Sequence, residues 1–116
     1  MIHYMNLNSQ PFNMIACGIK TIELRLCDEK RRKIKIDDII IFSDNSNENE
    51  QLTVKVVNLY KFCNFDELYK SIPLDKCGYL PEQLSTARPE DMEAYYSVEK
   101  QNQYGVLGIE LKLINE

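Results

Sequence analysis

Positions 18 to 25 read Gly18-Ile19-Lys20-Thr21-Ile22-Glu23-Leu24-Arg25, placing an amine, a hydroxyl, a carboxylate and a guanidinium on one short stretch. Thr21, Glu23 and Arg25 alternate with Ile22, Leu24 and Leu26, a period of two that predicts a half-buried strand with its polar side chains sharing one face. Two chemistries follow. In a binding site, Arg25 supplies a fork for phosphate or a base edge, Glu23 accepts from an amino or hydroxyl group, and Lys20 neutralises charge. In an enzyme, Lys20 is the base and Glu23 the acid or water-positioning group. Spacing alone more often produces a solvated ladder of exposed ion pairs that contributes little. In the binding reading, removal of Arg25 weakens the ligand without unfolding the domain, since one exposed side chain rarely costs more than about half a kcal/mol.

A second set is Lys30, Arg31, Arg32, Lys33 and Lys35, followed at once by Asp37-Asp38. The first four are candidates to track a phosphate backbone, with Tyr4, Tyr60, Tyr79, Tyr96 and Tyr104 as stacking faces for unpaired bases. The plainer reading is a solvated turn and packing tyrosines, since no Trp strengthens the stacking case. The chain carries 14 Lys and Arg against 18 Asp and Glu, a formal charge of −4. That sign excludes coating of nucleic acid by bulk electrostatics, so any such site is local. His3, the one imidazole, reads as a partly exposed strand residue with no nucleophile paired to it. Cys17, Cys27, Cys63 and Cys77 contain no Cys-x-x-Cys pair, which argues against zinc, and Cys17 reads as inert packing at a helix end. No metal and no cofactor is expected. No leader and no membrane-length apolar run is evident, so the expected setting is the cytoplasm, with reduced thiols.

The positioning elements follow from pattern. The 116 residues, 44% apolar, predict one domain with one core over positions 1–116. Ile2 to Leu7 predicts a strand, Asn8 or Ser9 to Gly18 a two-turn helix, and Thr21 to Leu26 a strand. Ile39-Ile40-Ile41-Phe42 predicts a strand buried on both sides. Asp44 to Glu50 reads as a polar hairpin loop and Leu52 to Lys61 as a long strand. Asn64 caps a helix to Ile72, Leu74 to Ala87 is irregular, Pro89 opens a third helix through Tyr96, and Gly105 begins a last strand. Strands and helices without a repeating rhythm predict an α+β fold: a small mixed β-barrel of five to six strands with about three short helices on its rim.

Gly-x-Lys-x-x-Glu-x-Arg at 18 to 25 resembles the signature of the ASCH domain family, whose fold is a PUA-like β-barrel. Asn8-Ser9-Gln10-Pro11-Phe12, Asp28-Glu29-Lys30-Arg31-Arg32, Cys77-Gly78-Tyr79, Tyr95-Tyr96-Ser97 and Tyr104-Gly105-Val106 extend the resemblance to small bacterial stand-alone ASCH proteins. It implies RNA or a nucleotide-like small molecule as partner, no membrane, and Lys20, Thr21, Glu23, Arg25, Tyr96 and Tyr104 as the ligand-binding set. The chain departs from the family twice. Asp37-Asp38 stands where Gly-Asp is frequent, which predicts a strained turn. In the branch that resembles N4-acetylcytidine amidohydrolases, a Thr nucleophile occupies the position of Glu23, beside a Lys matching Lys20. Thr21 cannot occupy the same point, which speaks against amide hydrolysis by that route. A modified-nucleoside amidohydrolase or a ribonuclease stays open as an alternative to binding, and a protein-interaction module as a third.

Overall fold

The computed structural model describes residues 1–114. In chain order the elements are β1 (Ile2–Leu7), α1 (Ser9–Ala16), β2 (Ile22–Leu26), β3 (Ile39–Asp44), β4 (Asn47–Phe62), α2 (Phe65–Ser71), α3 (Val98–Tyr104) and β5 (Val106–Leu113). Short 3-10 segments at Arg31–Lys33, Leu74–Cys77, Pro81–Gln83 and Pro89–Ala94 lie in the connections. The strands form one mixed sheet ordered β1-β3-β4-β5-β2 and curled into a half-barrel. β1 runs parallel to β3, and the other neighbours are antiparallel. The expected α+β mixed barrel is found as a half-barrel, with five strands and three α-helices among the described residues.

β2 and β3 exchange the burial their sequences predict. Along β3, Ile40 and Phe42 are fully buried while Ile39 and Ile41 are partly exposed, so the apolar run has one core face. β2 is covered on both sides. Ile22, Leu24 and Leu26 pack with Phe65, Leu68 and Ile72 of the α2 region. Glu23 pairs with Ile109 and Arg25 with Leu107 across the antiparallel ladder, so the charged face is the one that β5 turns toward the main core. Period two identified the faces; it carried no information about which face turns inward.

Other expectations change as well. The polar stretch after Asp44 is strand, because β4 begins at Asn47 and the turn contracts to Asn45 and Ser46. Asp44 Oδ1 accepts from the Ser46 amide at 2.9 Å and from Ser9 Oγ at 2.8 Å, closing the turn and tying α1 to it. Pro89 opens a 3-10 segment rather than an α-helix, and the third helix starts later, where Ser97 Oγ accepts from the Lys100 amide at 3.2 Å. The Asn64 cap is as expected, accepting from the Glu67 amide at 3.0 Å. Gly105, at φ 76°, meets a second constraint: a Cβ there would lie 2.9 Å from the Phe62 carbonyl oxygen.

His3 is buried rather than partly exposed, with Nε2 2.8 Å from Asp38 Oδ2. That contact and the Lys35 amide at 3.0 Å fasten β1 to the start of β3. The His3 hydrogen bond, against the opposing effect of burial, holds the Asp38 carboxyl down at about 2. Cys17 is exposed rather than packed, as is Cys63, while Cys27 and Cys77 are buried. No helix among the described residues is long and apolar enough to cross a membrane.

Asp37 adopts φ 78°, in the left-handed region its sequence context predicts to be strained. Its carboxylate faces Lys55 at 3.3 Å, an exposed pair of little value. Relief of a left-handed Cβ is worth about 1–2 kcal/mol, offset by glycine's extra entropy of about 0.5–1 kcal/mol. Asp37→Gly is therefore expected to raise the thermal midpoint by roughly 2–4 °C. A lower midpoint in differential scanning calorimetry would contradict this.

Candidate functional site

A cleft of about 490 Å³ opens between the start of α1, the charged face of β2 and the irregular chain that follows α2. Lys20, Glu23, Arg25 and Tyr96 of the expected set line it, together with Asn6, Tyr69, Cys77, Gly78, Tyr79, Asp91 and Tyr95.

Glu23 is the centre. Its Oε1 lies 2.7 Å from Lys20 Nζ and its Oε2 2.8 Å from Arg25 Nε, and all three side chains are almost wholly buried. Burial by itself would raise the carboxyl pKa. The charges and hydrogen bonds of Lys20 and Arg25 outweigh it, so Glu23 lies below the ordinary carboxylate range and is ionised. Arg25 is lowered by burial and raised more strongly by Glu23, with the Tyr96 hydroxyl contributing in the same direction. A second nitrogen of Arg25 donates to the Asn6 carbonyl at 3.0 Å. β1 and β2 are the sheet edges, so this guanidinium bridges the opening of the half-barrel.

The chain after α2 positions Lys20. The Thr21 amide donates to the Lys76 carbonyl at 2.9 Å. Gly78 follows at φ 103°, and a Cβ there would sit 3.3 Å from Lys20 Cδ, so glycine leaves the lysine stem its path. Cys77 lines the same wall, and burial, opposed by the Lys20 charge, pushes its thiol up to about 12. It is a thiol at neutral pH and no nucleophile.

Several expected residues lie elsewhere. Thr21 lines a neighbouring hollow with Ile15, Lys20, Leu111 and Leu113. Tyr104 packs against the α2-side cluster, with the Arg32 guanidinium 6.0 Å from its ring centre. Arg31, half-buried, pairs with Asp28 at 2.9 Å, and Arg32, exposed, donates through Nε to the Cys27 carbonyl at 3.2 Å. Lys30 and Lys33 are exposed, and none of the four basic residues lines the cleft. Of the five proposed stacking tyrosines, Tyr79 and Tyr96 reach it, while Tyr60 donates to Glu110 at 2.6 Å. The sequence reading did not assign Asp91 or Tyr95 to the site, because an irregular connection has no periodicity to say which of its side chains turn inward. Among the described residues, no cluster of His, Cys, Asp and Glu is arranged to hold a metal.

The edges of the half-barrel are thus joined by a buried Lys–Glu–Arg cluster beside a cleft. The ASCH domain model matches residues 5–115, and the chain belongs to that family. It is similar to hypothetical protein PH0355 at 31% identity and TM-score 0.79, covering 98% of this chain and all of that one. Protein PF0455 from Pyrococcus furiosus is 30% identical, with TM-score 0.72 and complete coverage of both chains. The ASCH protein from Zymomonas mobilis shares the fold at 14% identity and TM-score 0.62, over 98% of this chain and 73% of that one. No curated protein matches the chain.

Burial reverses the expectation that Arg25 is dispensable to stability. Arg25→Ala strips one partner from a buried carboxylate and is expected to cost about 3 kcal/mol in urea denaturation. A loss below about half a kcal/mol would contradict the buried pairing. Because the folded Glu23 pKa is depressed, its stabilisation is present above the unfolded carboxylate pKa and disappears as pH falls through the folded value. Glu23→Gln should flatten that part of the acid limb in stability measured against pH; an unchanged limb would contradict an ionised Glu23.

Proposed function

We propose that this ASCH domain binds RNA or a nucleotide-like ligand in the cleft floored by Lys20, Glu23 and Arg25. The observation that carries the reading is the pair of buried cationic donors, Lys20 and Arg25, that line the cleft. Both are held on the Glu23 carboxylate, in a cleft of about 490 Å³ whose other charged lining residue is Asp91, and that volume is within the usual range for small-ligand sites. Lys20 Nζ and the guanidinium of Arg25 keep donors beyond those engaged with Glu23 and Asn6, suited to a phosphate or a base edge. Tyr95, 68% exposed and lining the cleft, offers a stacking face.

The same geometry supports binding over catalysis. A general acid must hold a proton, and Glu23 is ionised with both oxygens engaged. Thr21, the nearest candidate nucleophile by sequence, does not line the cleft but a neighbouring hollow, with Lys20 common to both. The basic run lies outside the cleft, so it enters this reading only as an outer contact for a longer strand, through Lys30 and Lys33.

Fluorescence anisotropy with short single-stranded RNAs and nucleoside monophosphates tests the proposal, with product formation followed in parallel. Binding should weaken with salt at a slope of about −0.7 per phosphate contact. Lys20→Met, which keeps the apolar stem, and Tyr95→Ala, at an exposed position, should each lower affinity about tenfold, the latter without changing the melting temperature. Salt-insensitive binding, full affinity in both variants, or turnover of an acylated nucleoside would overturn it.

A further inference from the structure

The cleft contains a polar chain that the Lys20–Glu23–Arg25 cluster does not explain. Tyr69 Oη lies 2.7 Å from Tyr79 Oη, and Tyr79 donates to Asp91 Oδ2 at 2.8 Å. A phenol has one proton to give. With that of Tyr79 directed to Asp91, Tyr69 must donate to Tyr79, and both hydroxyls point along the chain to the carboxylate. The Arg88 amide donates to the same Oδ2 at 3.1 Å.

These contacts fix Asp91 as an acceptor. Burial, reinforced at Tyr79 by its two hydrogen bonds, raises both phenol pKa values, that of Tyr69 to about 12, so both stay protonated. The ring of Tyr69 is held edge-on to Phe65, with centres 6.3 Å apart, and Phe65 is fully buried. Oδ2 already receives two donors, whereas Oδ1 has no hydrogen-bond partner among the described residues, and Asp91 lines the cleft as an exposed residue. The polar lining thus holds two kinds of group: cationic donors at Lys20 and Arg25, and an aligned anionic acceptor at Asp91.

We propose that Asp91 selects the base, favouring nucleotides with an exocyclic amino group (adenine, cytosine or guanine) over uracil. This rests on the nucleotide reading above. The amino group donates to Asp91 Oδ1 while the phosphate meets Lys20 and Arg25. Uracil instead flanks its single imide N–H with two carbonyl oxygens, which a carboxylate repels. Tyr79 and Tyr69 are positioning residues that hold the carboxylate in line.

The test is competition of AMP, CMP, GMP and UMP, and of the tetranucleotides A4, C4 and U4, against one labelled RNA. The expected result is about tenfold weaker binding of the uridine forms, in line with one good acceptor contact. Asp91→Asn, whose amide also donates to a carbonyl, should bring the cytidine-to-uridine ratio toward one, and Tyr79→Phe should reduce it. Glu90→Gln, at the exposed neighbouring position, should leave it unchanged. Equal affinity for CMP and UMP, or a ratio preserved in Asp91→Asn, would overturn base selection while leaving nucleotide binding intact. Failure of every competitor and of the labelled RNA to bind would overturn both.

Discussion

An ionised carboxylate inside a protein costs several kcal/mol unless cations and donors replace its water, and in this chain that requirement falls on Glu23. β2 turns its charged face toward the core, so Glu23 must be neutralised where it stands. Lys20 approaches from the chain before the strand and Arg25 from two positions farther along it. Arg25 also reaches the Asn6 carbonyl on the opposite edge of the sheet. The interaction that neutralises Glu23 is therefore also the one that bridges the opening of the half-barrel, which is why the cleft, the strand and the β1 edge form one unit.

That coupling explains the dependence of the site on remote backbone. Gly78 leaves space for the lysine stem, and the Thr21 amide is held by Lys76, so the connection after α2 determines where the Lys20 ammonium lies. Tyr96 helps to raise the Arg25 pKa and joins the apolar layer through its ring stacked on Phe65, 6.2 Å between centres. A buried ion cluster is weak evidence for stability in itself, since apolar substitutes of equal volume often do as well. At the edge of an open cleft it presents donors that an apolar replacement would not.

Much of the fold was legible because local signals and tertiary structure agree. Asn64 caps α2 where its spacing from Glu67 predicts, and Leu107, Ile109 and Leu111 of β5 alternate into the core. Legibility failed where a tertiary partner decided between equivalent local options. Period two in β2 and the isoleucine run in β3 identify strands, yet it is the packing of the α2 region on one face and of the main core on the other that covers β2 twice, while β3 has one core face. The triad was legible as a set, as its three residues fall within one stretch of β2 and its approach. Asp91 and Tyr95 were not, because a long irregular connection brings them in. For Arg31 and Arg32 the charge is visible in the sequence, and their engagement with Asp28 and the Cys27 carbonyl is not.

The central claim is that the buried Lys20–Glu23–Arg25 cluster floors a nucleotide-binding cleft. Chemical-shift mapping by heteronuclear NMR, with 15N labelling and titration of a short single-stranded RNA, tests it most directly. The account predicts saturable shifts at the Arg25 side-chain Nε–H and at the amides of Lys20, Gly78 and Tyr95. Shifts confined to Lys30–Lys33, with those four positions silent through saturation, would contradict it.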